Sequence, residues 1–378
     1  MSRQVLPFSL DIPEAELEDL RLRLTHTRWP EPQTVDDWSQ GVPLQRARDL
    51  VEYWRTTYDW RRCERMLNGL GQFTTEIDGL PIYFLHIRSP HADALPLLLT
   101  HGWPGSVIEF HKVIAPLVDP VAHGGDVHDA FDVVVPALPG YGFSGKPART
   151  GWSVARTAEA WIELMRRLGY RRFVAQGGDW GALVTVALAG LEPQELAGIH
   201  LNMCPITLPE LDRAATPDEQ DAIDAARHYV RTQSGYGMQQ ATRPQTLGYG
   251  LADSPAGQAM WIYEKFAEWA DCGGDPETVL TKDELLDNIM LYWLPNTGAS
   301  SARLYWESFF KRTIPAVNVP AGFTAYPREL SRPPRHWLEP YLRNLVHWGT
   351  AERGGHFAAF EQPVSFVDEL RACFALMR

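Results

Sequence analysis

The chain has 378 residues, 45% of them hydrophobic, which is enough to bury one large core with a smaller insertion rather than a string of modules. Its formal net charge of −12 argues against a nucleic-acid partner, because phosphate binding needs clustered Lys and Arg. No stretch of about 18 apolar residues is present, and the N-terminus lacks a charged segment followed by an apolar run. We therefore expect a cytoplasmic protein with no membrane anchor.

The cysteines argue against a metal site. Four of them are scattered along the sequence, with no pair at metal-binding spacing: Cys63, Cys204, Cys272 and Cys373. We predict buried, reduced thiols and no bound metal.

Two amphipathic helices are predicted near the start of the chain, ahead of any β-strand. Pro13 suits the first position of a helix, and apolar residues follow it at helical spacing: Leu17, Leu20 and Leu24. After Trp29-Pro30, a second apolar stripe has the same spacing: Ala47, Leu50, Val51, Trp54 and Tyr58. We expect residues 1–65 to be an N-terminal helical extension that wraps a core formed later in the chain.

A largely parallel sheet is predicted from residue 66 onward. Segments 73–77 and 82–87 flank Asp78-Gly79, a dipeptide typical of a hairpin turn. Beyond this hairpin, short apolar runs alternate with helical patterns, which indicates an α/β fold with helices flanking the sheet. A helix should begin after Ser153 and end at Gly169. Further buried strands are predicted at 95–100, 131–136, 173–176, 198–202, 317–326 and 345–350.

A helical cap is predicted between two parts of this core. From about residue 204 to residue 311 the strand signals disappear, and Trp- and Tyr-rich helical segments such as 260–269 and 285–293 take over. We therefore expect residues 66–203 and 312–378 to form the core, with residues 204–311 inserted as the cap.

The segment 173–182 combines a strand, a tight turn and the start of a helix. Gly177 and Gly181 stand two positions before and after Asp179, where small residues let the strand and helix backbones approach closely. This layout predicts a nucleophile elbow that exposes the Asp179 side chain, with the N–H of Trp180 at the helix start favouring negative charge. Taken alone, the segment also fits a Gly-rich turn in which Asp179 caps the helix.

Two further loops supply candidate partners for Asp179. The predicted strand 95–100 runs into the loop 101–105, whose Trp103 N–H can complete an oxyanion hole, although such a loop is also ordinary turn chemistry. His356 follows the last predicted strand. A lone histidine is usually structural, but this one comes after the nucleophile and a carboxylate, in the chain order nucleophile, acid, base of α/β-hydrolases.

Together these motifs resemble those of the microsomal-type epoxide hydrolases over nearly the whole chain from about Pro7, including their N-terminal extension. The resemblance implies an α/β-hydrolase fold whose mostly parallel sheet carries a helical cap. The membrane span of the anchored relatives is missing here, so the chain resembles soluble members such as the bacterial and fungal ones. The matching segments are 101–104 (His-Gly-Trp-Pro), 140–144 (Gly-Tyr-Gly-Phe-Ser), 178–181 (Gly-Asp-Trp-Gly) and 354–361 (Gly-Gly-His-Phe-Ala-Ala-Phe-Glu).

The resemblance also implies roles for individual residues. Asp179 would attack an epoxide carbon and form a covalent ester, assisted by the cap phenols of Tyr236 and Tyr305. His356, oriented by Glu329, would then activate the water that releases a vicinal diol, and no cofactor is required. The oxyanion and substrate-binding segment would comprise Trp103, Trp180, His101 and Gly102.

Other assignments stay open. A haloalkane dehalogenase shares the aspartate nucleophile and the histidine base, but it must bind halide instead of protonating an alkoxide. A serine esterase needs serine at the elbow, and Ser144 in Gly-Phe-Ser-Gly-Lys lacks the second small residue of that motif. A ligand receptor can use the same fold without catalysis. Apart from the resemblance, Glu329 fits a surface glutamate, and Tyr236 and Tyr305 fit packing residues.

The aromatic content favours a bulky substrate. We expect the small-molecule partner to be an aromatic or polycyclic epoxide. Alternatively, the tryptophans are there only because they pack in the core. The sequence leaves a homodimer open. Five tryptophans fall in or near the candidate site segments: Trp103, Trp180, Trp261, Trp293 and Trp306.

Overall fold

The computed structural model describes residues 4–205, 216–311 and 313–378, and within them one nine-stranded sheet organises the fold. Its strands are β1 (Leu6–Pro7), β2 (Gln72–Ile77), β3 (Leu80–Ile87), β4 (Leu95–Thr100), β5 (Phe131–Pro136), β6 (Phe173–Gly177), β7 (Leu196–Leu201), β8 (Ala321–Ala325) and β9 (Leu345–Thr350). Across the sheet the order is β1-β2-β3-β5-β4-β6-β7-β8-β9. The pairs from β1 to β5 are antiparallel and the pairs from β5 to β9 are parallel, so the sheet is mostly parallel, as predicted.

The helices flank this sheet and build the cap. They are α1 (Glu14–Thr25), α2 (Leu44–Thr56), α3 (Trp60–Gly69), α4 (His111–Val118), α5 (Val154–Arg167), α6 (Asp179–Gly190), α7 (Pro217–His228), α8 (Gly235–Thr242), α9 (Pro244–Asp253), α10 (Pro255–Trp269), α11 (Lys282–Trp293), α12 (Gly298–Ser308), α13 (Arg335–Leu338), α14 (Ala358–Glu361) and α15 (Pro363–Ala375). Within the core, α5 packs against α6 and α4 packs against α15.

Local sequence signals set several element boundaries. Asp78 and Gly79 join β2 to β3 with φ values of 52° and 79°, the left-handed values that a two-residue hairpin turn needs. The Ser153 side chain accepts a hydrogen bond from the backbone N–H of Arg156 and caps α5. Gly169 follows the end of that helix with a φ of 84°. Strands β4, β5 and β9 have the predicted bounds.

The N-terminal region differs from the prediction in three places. The strand β1 precedes the helices and pairs with β2, although its two exposed residues give no alternating pattern in the sequence. Pro13 is the residue before α1 rather than its first residue. A third helix, α3, follows the two predicted ones and runs through residue 65. We therefore propose that the extension ends at Gly69, just before β2.

The predicted strand 317–326 is too long. Val317 forms only an isolated bridge with Leu342, and the regular strand β8 begins after Pro320. Proline has no backbone N–H to donate, so it interrupts the ladder of hydrogen bonds.

Helices α7 to α12 occupy the segment predicted as a cap, and residues 206–215 of that segment lie outside the described residues. A π-helical segment, Tyr229–Gln233, joins α7 to α8. Thr216 and Thr281 form capping boxes that begin α7 and α11. The helix α12 packs against α8 and α9 within the cap and against α5 of the core. The boundaries 204 and 311 of the cap stay a proposal.

One buried hydrophobic cluster joins the extension, the core and the cap, and it includes Leu50, Val134 and Ile289. All four cysteines are buried free thiols, as predicted. Among the helices of the described ranges, none combines the length and the apolar character needed to span a membrane.

Candidate active site

Asp179 lies in a tight turn between β6 and α6, where its backbone φ is 48°. Glycines make this turn feasible. A Cβ on Gly181 would lie 1.9 Å from the Thr100 carbonyl oxygen, and one on Gly177 would lie 2.2 Å from the Gly181 backbone. No larger residue fits at either position, so the strand and the helix approach closely and present the Asp179 carboxylate. The predicted elbow geometry is therefore present.

The loop after β4 contacts the Asp179 carboxylate directly. The Trp103 N–H donates a hydrogen bond to Asp179 Oδ1 at 2.7 Å, and a Cβ on Gly102 would lie 2.1 Å from the same oxygen. The buried His101 side chain braces the loop, because its Nε2 accepts from the Leu138 N–H at 3.2 Å and its Nδ1 donates to the Gly102 carbonyl at 2.9 Å. Burial lowers the pKa of His101 to about 4, which keeps this ring neutral.

His356 connects Asp179 to Glu329. Its Nε2 is 3.5 Å from Asp179 Oδ2, and its Nδ1 lies 2.9 and 3.1 Å from the two Glu329 oxygens, to which it donates. Burial alone would lower the pKa of His356, but the carboxylates of Glu329 and Asp179 outweigh that effect and raise it well above its usual value. The structure thus brings the predicted nucleophile, base and acid together.

Glu361 holds the loop that carries His356. Its carboxylate accepts hydrogen bonds from the backbone N–H groups of Asp271, Gly355 and Phe357 at 2.7, 3.1 and 2.9 Å. Asp271 follows the last residues of α10, so these bonds tie the histidine loop to the cap. Burial raises the pKa of Glu361 to about 7, against the opposing effect of the three N–H donors.

The cap tyrosines contact the tryptophans that flank Asp179. The Tyr236 ring, on α8, stacks on Trp103 with a centroid distance of 4.8 Å and an interplanar angle of 10°. The Tyr305 ring, on α12, meets Trp180 edge-on at 4.6 Å, and the two tyrosine rings are 5.8 Å apart. Burial raises the pKa of both phenols well above the usual value, so both stay protonated at neutral pH.

Only two of the five tryptophans that we expected near the site contact these tyrosines, namely Trp103 and Trp180. Trp269 completes the aromatic wall instead, with its ring 5.1 Å from that of Tyr236 and 5.1 Å from that of His356. Helical periodicity could not show this, because it does not reveal which face of each cap helix turns toward Asp179. The other three lie elsewhere: Trp261 beside the N-terminal extension, Trp293 under Arg23 of α1, and Trp306 at the surface.

A small cavity of about 20 Å³ lies against Asp179 and His356. Its lining includes Glu109, from the 3₁₀ turn after the 101–105 loop, and Gln176 of β6. Burial raises the pKa of Glu109 to about 8, and the buried Gln176 Oε1 has no hydrogen-bond partner in the described part of the chain. A polar cavity of this size suits one water molecule. Glu109 could not be predicted from the sequence, because one acidic residue in a short apolar segment forms no recognisable motif.

The predicted site residues form one cluster where β4 and β6 end, beneath the cap. The core contributes a carboxylate, a histidine and backbone N–H groups, and the cap contributes two phenols and an aromatic wall. No group of three or more His, Cys, Asp or Glu side chains in the described ranges is placed to hold a metal ion. The chemistry that these groups offer is nucleophilic attack combined with proton transfer.

Known proteins match this chain along its whole length. The family model for the epoxide hydrolase N terminus matches residues 5–110, and the model for the alpha/beta hydrolase fold matches residues 96–237. A protein of the bacterium Stigmatella aurantiaca that carries a provisional epoxide hydrolase name is 57% identical, over 99% of this chain and 86% of its own. This chain belongs to the epoxide hydrolase family. Epoxide hydrolase 1 of Sus scrofa is 35% identical, over 99% of this chain and 89% of its own.

Solved structures of epoxide hydrolases share the fold. The juvenile hormone epoxide hydrolase of Bombyx mori aligns with a TM-score of 0.90 and 32% identity, covering 99% of this chain and 95% of its own. The Aspergillus niger epoxide hydrolase aligns with a TM-score of 0.89 and 31% identity, covering 99% of this chain and 97% of its own. The epoxide hydrolase family and the α/β-hydrolase fold expected from the sequence motifs are confirmed.

Proposed function

We propose that this protein hydrolyses an epoxide to a vicinal diol through a covalent ester on Asp179. The observation that carries the proposal is the position of the Asp179 carboxylate between two sets of groups. The Trp103 N–H and His356 contact it from the core, while Tyr236 and Tyr305 pack on the neighbouring tryptophans from the cap. Ring opening needs this combination of a nucleophile and a proton donor.

In the first step, an oxygen of Asp179 attacks one epoxide carbon and the ring C–O bond breaks. The Trp103 N–H binds Oδ1 at 2.7 Å and His356 Nε2 lies 3.5 Å from Oδ2, so both contacts orient the carboxylate for the attack. The epoxide oxygen takes a proton from a cap phenol as its negative charge develops. Tyr236 and Tyr305 are both buried, and a hydrogen bond from a buried phenol is stronger than one in water.

In the second step, His356 changes from a cation to a base. Alkylation removes the negative charge of Asp179, which is one of the two charges that raise the pKa of His356. The pKa of His356 therefore falls once the ester has formed, and the ring releases its proton to solvent. The neutral ring can then accept a proton from the attacking water, and it takes up a proton again when the Asp179 carboxylate is restored. The N–H groups of Trp103 and Trp180 stabilise the oxyanion, since the first turn of α6 leaves the Trp180 N–H without an intrahelical partner. His356 then returns its proton to the departing diol oxygen.

The small cavity beside His356 offers a position for the attacking water. We propose that one water molecule binds there, donates to Gln176 Oε1 and accepts from the protonated carboxyl of Glu109. Such a water molecule would be close to His356 before the ester forms, so hydrolysis would not have to wait for a molecule from bulk solvent.

The aromatic wall supports an aromatic epoxide as substrate, because Trp103, Trp180 and Trp269 offer three indole faces or edges to it.

The cytoplasmic location and a homodimer stay predictions from the sequence. Cell fractionation tests the first of these, and size-exclusion chromatography with light scattering tests the second.

Product analysis tests the proposed function. The purified protein should convert styrene oxide, or a larger aromatic epoxide from the same panel, to its diol. Matched haloalkanes should release no halide. Halide release without diol formation would favour a dehalogenase, and a panel in which no epoxide is consumed would contradict the proposal and favour a ligand receptor.

A further inference from the structure

The two cap tyrosines have different surroundings. The Tyr236 hydroxyl is 3.1 Å from the hydroxyl of Tyr229, whereas the buried Tyr305 hydroxyl interacts with Tyr236 but has no hydrogen-bond partner of good geometry among the described residues. We propose that Tyr229 is a positioning residue and proton relay for Tyr236. Tyr236 is then the phenol that transfers its proton during ring opening, and Tyr305 only donates a hydrogen bond. This inference rests on the proposed function and deepens it.

The helix geometry places the two hydroxyls together. Tyr229 begins the π-helical segment that joins α7 to α8, and Tyr236 lies in the first turn of α8. A separation of seven residues is close to two helical turns, so both side chains lie on the same side of this stretch. Short π-helical segments insert an extra residue and are frequent at functional sites. Here the segment directs a third phenol toward the first two.

A relay of this kind would restore the Tyr236 phenol after ring opening. When the epoxide oxygen takes the proton of Tyr236, the O–H bond of the phenol breaks, an alcohol O–H forms and a phenolate remains. Ester hydrolysis does not return a proton to the Tyr236 phenolate. The proton of the attacking water passes through His356 to the diol oxygen. Asp179 is regenerated first as a carboxylic acid, and its proton passes to water. Tyr229 can donate its hydroxyl proton to the phenolate and take another from water. The proton released by Asp179 and the proton taken up by Tyr229 balance.

Tyr229 also has access to water. It lines a cavity of about 570 Å³ whose rim includes the exposed residues His228 and Arg328, with Gln233 and Glu268 further along the wall. Tyr236 itself is only 7% exposed and does not line this cavity. The hydrogen bond between the two phenols therefore connects a buried acid to a polar, water-accessible space.

A buried cation adds to the support of Tyr236. The ammonium group of Lys265 lies 5.1 Å from the centroid of the Tyr236 ring, and the Lys265 side chain is only 4% exposed. Its charge is balanced by Glu264 and by Glu268, the latter at 2.7 Å. A cation over an aromatic face is held more strongly as the ring gains negative charge, so this contact favours the phenolate of Tyr236.

A double-mutant cycle on ester formation tests the relay. With Tyr229→Phe, single-turnover ester formation should slow by about 10- to 100-fold, the effect of losing a hydrogen bond to a charged group. Hydrolysis of the ester should keep the wild-type rate. The same substitution should cost nothing further in a Tyr236→Phe background and should keep its full cost in a Tyr305→Phe background. Tyr263→Phe is the matched control, because it removes a cap phenol that bonds to Glu277.

Failure of the relay and failure of epoxide hydrolysis would give different results in these measurements. Suppose that the wild-type protein forms the ester. If Tyr229→Phe then slows ester formation equally in the Tyr236→Phe and Tyr305→Phe backgrounds, or does not slow it at all, the relay is wrong and the proposed function is unaffected. Equal slowing by Tyr263→Phe would show a general effect of cap packing and would also overturn the relay. A wild-type protein that forms no ester with any epoxide would refute both.

Discussion

Asp179 lies between two different environments, the groups of the sheet domain (the core side) and the groups of the helical cap (the cap side). On the core side, polar groups are close and paired, since the Trp103 N–H, His356 and Glu329 form short hydrogen bonds. On the cap side, rings pack against rings, and the polar groups among them include the tyrosine hydroxyls and the buried Lys265 ammonium. A polar, preorganised side suits the handling of water, and an apolar side keeps phenols protonated until an alkoxide develops. We therefore propose that the core groups carry out ester hydrolysis and that the cap groups assist ring opening.

Replacement of the residue shared by both sides should have the largest effect. Asp179→Asn replaces the carboxylate with a neutral amide, which is a poor nucleophile, so we expect no measurable diol formation. Mass spectrometry after quenching should find substrate mass on the Asp179 peptide of the wild-type protein and none on the variant. An adduct that persists on another residue would show that the nucleophile lies elsewhere.

The double variant Tyr236→Phe, Tyr305→Phe removes only the cap-side donors. Each single variant should slow ester formation by at least roughly 10² to 10³, the cost of one oxyanion-type donor, with the larger loss in Tyr236→Phe because that phenol also transfers the proton; the double variant should be nearly inactive. Stopped-flow measurements would follow the first step. If Asp179 of the double variant were alkylated at the wild-type rate, ring opening would not depend on the cap phenols. Halide release from haloalkanes should then be measured.

His356→Gln removes the base on the core side and should leave ring opening intact. We expect one equivalent of epoxide to be consumed in a burst, with ester hydrolysis slowed by about 10² to 10⁴, the usual contribution of a general base. Rapid-quench analysis of ester and diol provides the measurement. Unchanged steady-state turnover would exclude His356 as the base.

Among these substitutions, Glu109→Gln should have the smallest effect on the rate of ester hydrolysis. It should also change how the free energy of unfolding depends on pH. The pKa of Glu109 is raised from 4.5 to about 8, so the folded state keeps a proton that the unfolded state loses. This carboxyl therefore favours folding below pH 4.5, and its contribution is lost as the pH rises toward 8. Thermal unfolding should show that the variant gains roughly 1 to 3 kcal/mol relative to wild type between pH 5 and 9. A constant difference across this range would contradict the raised pKa.

The sequence predicted the core side of the site better than the cap side. Around Asp179, glycines are required by backbone contacts within one continuous segment, so the elbow is visible from local spacing. Glu329 was found only through the family resemblance, because its contact with His356 joins residues 27 positions apart. Tyr229 and Lys265 were not found, since their contacts with Tyr236 depend on how the cap helices pack. The family is confirmed, while the roles of individual residues stay predictions.

A single turnover in water labelled with ¹⁸O tests the covalent ester on Asp179 most directly. If Asp179 attacks the epoxide, the oxygen added to the first diol comes from the carboxylate, and the label enters Asp179 when water hydrolyses the ester. With enzyme in excess over epoxide, the diol should therefore carry no label and the Asp179 peptide should gain it. Labelled diol from the first turnover, with an unlabelled Asp179 peptide, would show direct attack by water and would contradict the mechanism.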